Sequence, residues 1–425
     1  MSSCRKIGLI GAYERDNFGD VLFLERAYRY LGKRDSVALA PYRRAMGADI
    51  KQTVEVERYA DALVRRELQG ILVVGGEVGG TSASDAYRMS SSSEDYRLWE
   101  SEPLRKRRYR IEDELGSSAY SSPYLPRMSG SEDSLRLSLS INSVGLSGLG
   151  KLMGSRRDEA WNAVRESSYL SVRDNESSSV LESAGISHVL APDVVHTLAL
   201  DSEFVPNLRP DVALVQVKSR SLAQIGPHRF AEALNSSQSL KGMTIQLFAA
   251  GYATGHDSLE LYQRVSDAFH KMDSSGRLLL PEDLSPIDKA KSIAGCGVWI
   301  GTSLHGWIIS SSFGRPRVGL ELVKVGRYAR SWGDPMPTEV RVQDIDAAVG
   351  GAIEMSRALG AEEVARSLGM AKEAEGSVIN AYAALGGEVS EADFAMRVQT
   401  HRVLERRRAR ASRRLLDTAL FWKGK

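Results

Sequence analysis

Short apolar runs that stop at a glycine or a polar turn alternate along this chain with longer stretches whose apolar residues recur at helical spacing. In the first half the pattern predicts strands at 6–11, 36–40, 71–74, 135–144 and 169–172, with helices near 20–31, 56–66, 158–166 and 176–184. The stretch 201–210 has two prolines and little hydrophobic pattern, and reads as a connector. The alternation then restarts, with strands at 212–217, 244–249, 277–280 and 297–300. Its helices follow Pro227, span 258–272 and 285–294, and run from Thr302 or Ser303 to a stop at Gly314 and Pro316. Strand-then-helix units of this kind build parallel sheets covered on both faces. The expectation is an α/β protein with two Rossmann-like doubly wound domains, 1–205 and 206–345, and a helical C-terminal extension over 346–425. Chemistry is then expected in the cleft that the carboxyl ends of the two sheets face.

Two segments break the alternation. Residues 81–134 are rich in Ser, Tyr and charge, include the run Leu104-Arg105-Lys106-Arg107-Arg108-Tyr109-Arg110, and keep no steady period. They read as a long Ser-rich insertion, a partly helical surface loop, with a lid over an acceptor as the second reading. From Ser390 onward Arg402, Arg406, Arg407, Arg408, Arg410, Arg413 and Arg414 stand among Leu404, Ala411, Leu415 and Leu416 in a helical pattern. That basic tail leaves two roles open: a helix packed on the body or on an oligomer partner, or a peripheral contact with the anionic inner face of a membrane.

Composition narrows the classes. A chain of 425 residues can fill two cores and an appendage. With 42% hydrophobic residues, 26% charged residues and a net charge of +2, it carries no global field that selects nucleic acid. Cys4 and Cys296 are too far apart to suggest a disulfide framework or a thiolate metal site, and no His, Asp and Glu cluster has metal spacing, so neither metal nor cofactor is expected. No apolar run approaches the roughly 20 residues of a membrane helix, and the run at Ile7 is too short for a signal-peptide core, so the expected location is the cytoplasm.

The candidate chemistry sits at strand ends. In the run 301–316, His305 lies at a strand-to-helix turn where backbone N–H groups favour an anion. In Gly8 to Asp20 a strand ends in a polar loop that carries Asn17 and Asp20 to the mouth of a helix. Asp20 either caps that helix or bonds sugar hydroxyls, and the glycines do not keep dinucleotide-binding spacing. Gly75 and Gly76 follow a buried strand, where they allow either a tight turn or close approach of a ligand. Arg173 leaves another strand end, where a guanidinium grips a phosphate or carboxylate, or pairs with an acidic side chain as structural glue. Asp193 ends a further strand and is expected to face the cleft, whereas His196 is expected to pack.

Taken in order, Asn17-Phe18-Gly19-Asp20, Val172-Arg173-Asp174 with Ser177, Pro192-Asp193, and Leu304-His305-Gly306 followed by Phe313-Gly314 and Pro316 resemble the polysaccharide pyruvyl transferase family, over roughly residues 6–330. The resemblance implies a glycosyltransferase-B-like fold. It also implies transfer of a pyruvyl group from phosphoenolpyruvate to a sugar of a cell-surface polysaccharide or glycolipid, commonly as a cyclic ketal. The implied partners are that donor and a glycan or lipid-linked sugar acceptor; a homo-oligomer stays open. In the family's pattern an arginine often stands two residues before the histidine and is thought to help hold the donor, where this chain has Ser303. Arg173, with Lys218 or Arg220 and with Lys324 and Arg327, is the expected source of cations, and Ser303 at the helix N-terminus is expected to bind a phosphate oxygen. His305 is the expected general acid and base, Asp20 or Asp193 the group that orients acceptor hydroxyls, and Arg173 the stabiliser of the leaving phosphate. Two rival functions remain at this level: a nucleotide-sugar-dependent glycosyltransferase, and a non-catalytic glycan-binding relative.

Overall fold

Seven parallel strands make the first sheet of the protein, a computed structural model of which describes residues 6–42, 55–65, 68–115, 122–126, 137–321 and 323–386. They are β1 (Lys6–Ile10), β2 (Ser36–Ala40), β3 (Glu57–Arg58), β4 (Leu68–Val74), β5 (Ser138–Val144), β6 (Tyr169–Val172) and β7 (Val189–Leu190), in spatial order β3-β2-β1-β4-β5-β6-β7. The helices of this half are α1 (Phe18–Leu31), α2 (Tyr59–Arg65), α3 (Ala83–Ser90), α4 (Ser93–Ser101), α5 (Leu104–Leu115), α6 (Gly154–Glu166) and α7 (Asn175–Ser183). A 3-10 run, Val194–Leu200, leads to the second sheet. There β8 (Arg209–Gln216), β9 (Thr244–Leu247), β10 (Leu278–Leu279), β11 (Cys296–Gly301) and β12 (Arg317–Gly319) lie in the order β10-β9-β8-β11-β12. Its helices are α8 (Ser219–Ile225), α9 (Pro227–Ser236), α10 (Leu259–Met272), α11 (Pro286–Gly295), α12 (Leu304–Ser312) and α13 (Val323–Ser331), followed by the long α14 (Ile345–Ala383).

This is the doubly wound, glycosyltransferase-B-like architecture that the alternation predicts. Each sheet has one topological switch. In the first, the chain builds outward from β1 to β3 and then returns to the other side of β1 as β4; in the second, it builds from β8 to β10 and returns as β11. Loops leaving β1 and β4, and β8 and β11, therefore part in opposite directions and open a crevice at the carboxyl ends of the strands. The central strands are buried on both faces, which is why they read as unbroken apolar runs: Leu9, Ile10, Ile71, Leu72, Val298, Trp299 and Ile300 expose essentially nothing.

Several boundaries differ from the sequence expectation. The described part of the 81–134 insertion is mostly three helices, α3 to α5, more regular than the partly helical loop expected. Ser82 and Asp85 close a capping box on α3, and Tyr87, Trp99, Ile111 and Leu115 are the sparse apolar contacts that hold the group down. The short α8 carries no signal strong enough to be read, and the 201–210 connector already contains the first residues of β8. The basic tail from Ser390, with its oligomer or membrane role, lies outside the described residues. Among the described residues no helix is long and apolar enough to cross a membrane.

Helix α14 breaks at Gly360, where φ is 40° and ψ is −106°, and its second half returns to the first sheet. Ser377 Oγ donates to Asn142 Oδ1 on β5 at 2.6 Å, and Tyr30 of α1 donates to Glu375 at 3.0 Å. A buried charge cluster fastens α14 just after the break: Arg317 of β12 bonds Asp334 at 2.7 and 2.9 Å and Glu363 of α14 at 2.6 Å, with Arg317 fully buried.

Candidate active site at the cleft between the sheets

The loop after β1 is built around one carboxylate. Asn17 caps α1 by accepting from Gly19 N at 3.2 Å, and its amide nitrogen donates to Asp20 Oδ2 at 2.7 Å. Arg15 Nε donates to the same oxygen, also at 2.7 Å. The second domain clamps this loop from across the cleft: Phe18 N donates to Ala250 O at 3.0 Å, Tyr252 N to Asp16 Oδ2 at 2.7 Å and Ala253 N to Asp16 O at 3.3 Å.

Beneath the opposite wall a second network ties three strand ends together. Asp257 accepts from Gln216 Nε2 at 2.7 Å and from Ala250 N at 2.6 Å. Gln216 Oε1 accepts from Thr302 N and Thr302 Oγ1, each at 3.1 Å, and Thr302 Oγ1 accepts from Lys218 N at 3.1 Å. The network fixes the turn from β11 into α12. Ser303 caps that helix, its Oγ accepting from Gly306 N at 3.3 Å.

His305 crosses from this turn into the first domain. Its Nδ1 occupies the space in which a Cβ on Gly19 would stand, 1.9 Å away, so only glycine fits there. The ring is held edge-on by Phe23, at 4.9 Å between centroids, and by Phe18, at 6.2 Å. Nε2 is buried without a hydrogen-bond partner, and among the described residues neither ring nitrogen has one. A buried polar atom in that state costs free energy unless water or a ligand supplies a partner. Burial first, then the charges of Arg173, Lys324, Arg15 and His256, push the His305 pKa well below its usual range. The imidazole is neutral at pH 7 and ready to accept a proton.

Arg173 faces the same space from the end of β6. Its Nη1 donates to Asp193 Oδ2 at 3.0 Å, Trp332 Nε1 from the second domain donates to its carbonyl at 2.9 Å, and its Nε has no partner. Burial opposes the charge, but Asp193 and Glu77 keep the guanidinium protonated. Glu77 Oε2 and Arg173 Nη2 flank Gly145, at 2.1 and 3.4 Å from where a Cβ would sit. Behind Asp193, its own N–H donates to Tyr328 Oη at 3.0 Å, and Tyr328 Oη lies 2.9 Å from His196 Nε2. Ser312 Oγ donates to Ile308 O at 2.8 Å, so at 2.7 Å it accepts from His196 Nδ1–H. Nε2 is then an acceptor and the Tyr328 hydroxyl donates to it, a chain that assigns the tautomer. Burial lowers the His196 pKa to about 3, in keeping with a neutral ring.

Lys218, Lys324 and His256 complete the lining. Lys218 has its pKa lowered, mainly by burial. Lys324 is open to water on one side yet enclosed by protein on the other; that enclosure, with Lys218 and Arg173, lowers its pKa to about 7. His256 is pushed down to about 2 by burial and by Lys218, Arg15 and Lys324. The two lysines thus lose by burial and by neighbouring positive charge, while Asp20 and Asp193 are already engaged by arginines. Such an arrangement is strained when empty of anions and relaxed by a polyanion.

The structure gathers His305, Arg173, Asp20, Asn17, Lys218 and Lys324 around this space. Two other expected roles are corrected. Asp193 is fully buried and gives one oxygen to Arg173 and the other to Val195 N at 3.0 Å, so it holds the guanidinium rather than a ligand. Gly75 and Gly76 have φ of 62° and 84°, and a Cβ on Gly75 would meet Phe23 at 2.4 Å; their turn and the packing under it require glycine. Ser303 Oγ caps α12 as an acceptor, which leaves its O–H free to donate. Of the alternative cations, Arg220 is exposed and Arg327 is paired with Glu176 at 2.6 Å. Arg15, Glu77 and His256 were not singled out from the sequence; only Arg15 had a signal, its place two residues before Asn17. Among the described residues no group of three or more His, Cys, Asp or Glu is placed to hold a metal.

The profile of a family described as polysaccharide pyruvyl transferase matches residues 17–322. No curated protein sequence matches the chain. Among solved structures, the UDP-GlcNAc 2-epimerase of Neisseria meningitidis, bound to UDP-GlcNAc, is similar with a TM-score of 0.51 and 11% identity, over 87% of this chain and 97% of that one. The UDP-GlcNAc 2-epimerase of Methanocaldococcus jannaschii gives a TM-score of 0.48 and 10% identity over 82% and 92% of the two chains. At such identity the likeness to the Neisseria protein speaks for the fold alone.

Proposed function

Because the chain belongs to the polysaccharide pyruvyl transferase family and is an enzyme that modifies polysaccharide, we propose that it moves the pyruvyl group of phosphoenolpyruvate onto a sugar of a cell-surface polysaccharide or glycolipid and closes it as a ketal. The observation that carries the reading is the unpartnered His305 Nε2 among the basic side chains Arg173, Lys324 and Arg15. Phosphoenolpyruvate brings a phosphate and a carboxylate, and a dry cleft must neutralise both.

In this reading Arg173 and Lys324 bind the donor, and the negative charge it brings raises the His305 pKa from its depressed state. His305 Nε2 takes the proton of a sugar hydroxyl as that oxygen attacks the central carbon of the enol. The same proton goes to the methylene carbon, which becomes the methyl group. Phosphate then leaves with the electrons of its C–O bond, stabilised by Arg173, and a second hydroxyl of the sugar takes its place. That hydroxyl's proton departs on the phosphate, so the products are the ketal and hydrogen phosphate. Asp193 acts through Arg173, whose position it sets.

The test is release of phosphate from phosphoenolpyruvate on a panel of sugar acceptors. Release should require an acceptor, and His305→Ala and Arg173→Ala should each lower kcat/KM by about a hundredfold or more. Unchanged rates in both variants would remove the assignment. Release of a nucleoside diphosphate from nucleotide sugars, with phosphoenolpyruvate inert, would replace the reading with a glycosyltransferase.

A further inference from the structure

The donor proposed above carries two separate anionic groups, and the residue from which the family's pattern would offer a guanidinium to one of them is Ser303. Its oxygen caps α12, and its side chain carries no charge. Arg173 stands on the β6 side of the space, next to Glu77 and Asp193. A second guanidinium reaches the space from another quarter. Arg15 sits on the loop after β1, and its Nε is fixed by Asp20 Oδ2 at 2.7 Å. Asn17 Nδ2 steadies the same oxygen at 2.7 Å. The loop itself is pinned to the second domain at Ala250, Tyr252 and Ala253. The Arg15 charge acts on Lys218, His256, Lys324 and His305, four side chains that line the second domain's wall from four different loops or helices. One guanidinium felt by all four lies beside the space they enclose; its Nη1 reaches Met89 Sδ of α3 at 2.6 Å, and among the described residues its one ion pair is with Asp20, so Nη2 is the nitrogen left for an anion.

We propose that Arg15 supplies, from the first domain, the guanidinium that this chain lacks at position 303, and that with Lys218 it binds the second anionic group of the donor. Asp20 is then a positioning residue: its carboxylate aims Arg15 and is not the group that orients acceptor hydroxyls. The assignment rests on the donor reading and adds to it which side chain replaces the missing cation. The fastening of the loop to the second domain keeps Arg15 Nη2 in place.

Equilibrium binding of phosphoenolpyruvate to the full chain tests this without any acceptor. Four proteins are compared: wild type, Arg15→Met, Arg15→Lys, and Arg15→Met combined with Ser303→Arg, each with its thermal unfolding midpoint. Arg15→Met is expected to weaken binding tenfold or more, and Arg15→Lys by less. Moving the guanidinium to position 303 is expected to recover a large part of the loss, which a merely structural role for Arg15 would not permit. Binding by Arg15→Met within twofold of wild type overturns the inference while leaving the donor reading intact. So does a loss that neither lysine at 15 nor arginine at 303 relieves in protein that unfolds at the wild-type midpoint. Wild-type protein that binds no phosphoenolpyruvate removes the donor reading and this inference together.

Discussion

Lys324 makes the site sensitive to pH at the scale of one residue. Burial and its cationic neighbours lower its pKa to about 7, so it is positively charged below that value and neutral above it. An anionic donor gains from the charged form only. Affinity for phosphoenolpyruvate should therefore fall as pH rises from 6 to 8, and Lys324→Met should bind more weakly at pH 6 with a flatter profile, measurable by the same titration. A profile of unchanged slope in the variant would assign the titration to another group. Residues of this kind differ in how well they can be read. His305 and Arg173 stand where a buried strand gives way to a helix, and that boundary is visible as an apolar run meeting polar residues. His256 sits in an irregular loop with no period around it, and nothing in its neighbours hints at the lysines that the fold brings close. Asp193 shows the opposite problem: a carboxylate that serves a ligand and one that serves an arginine look alike until burial is known.

Among elements, α13 is the one that joins the two domains behind the site. Its Tyr328 hydroxyl donates to His196 Nε2 and accepts from Asp193 N, and all three groups are buried. Tyr328→Phe leaves one donor and one acceptor without partners while keeping the ring. The expected cost is about 2–4 kcal/mol in denaturant unfolding, together with a lower kcat/KM because Asp193 loses one of the contacts that aim Arg173. A stability loss below about 0.5 kcal/mol would mean that water replaces the hydroxyl. The strands of the central sheets were legible because burial on both faces forces them to be apolar throughout. Helices α3 to α5 were not. Their outward faces are serine and charge, and a handful of apolar side chains such as Trp99 and Ile111 is enough to dock them on the sheet.

For the whole molecule, the return of α14 decides whether two sheets behave as one body. Its link to the second domain runs through Arg317, which is fully buried between Asp334 and Glu363. Burial opposes the Glu363 charge, but Arg366 and Arg317 hold its pKa below the usual carboxylate range. A lowered pKa stabilises the fold above the unfolded value, and the gain disappears as pH falls through the folded value. Glu363→Ala should cost about 3–5 kcal/mol in urea unfolding at pH 7, and the difference from wild type should shrink on acidification. Equal midpoints at pH 7 would show that Asp334 alone compensates Arg317. The two-sheet plan was legible from alternation, but the path of α14 was not: its buried face is mostly small, with Ala371, Ala374 and Ala381 beside Val378, and Glu375 and Ser377 meet Tyr30 and Asn142 through polar contacts.

The vacancy at Gly19 carries a meaning of its own at this scale. His305 belongs to one half of the molecule and rests in a notch cut into the other, like a bolt in its keeper. The ring keeps its seat between Phe18 and Phe23 only while the two halves meet, so the join of the halves is itself a part of the site.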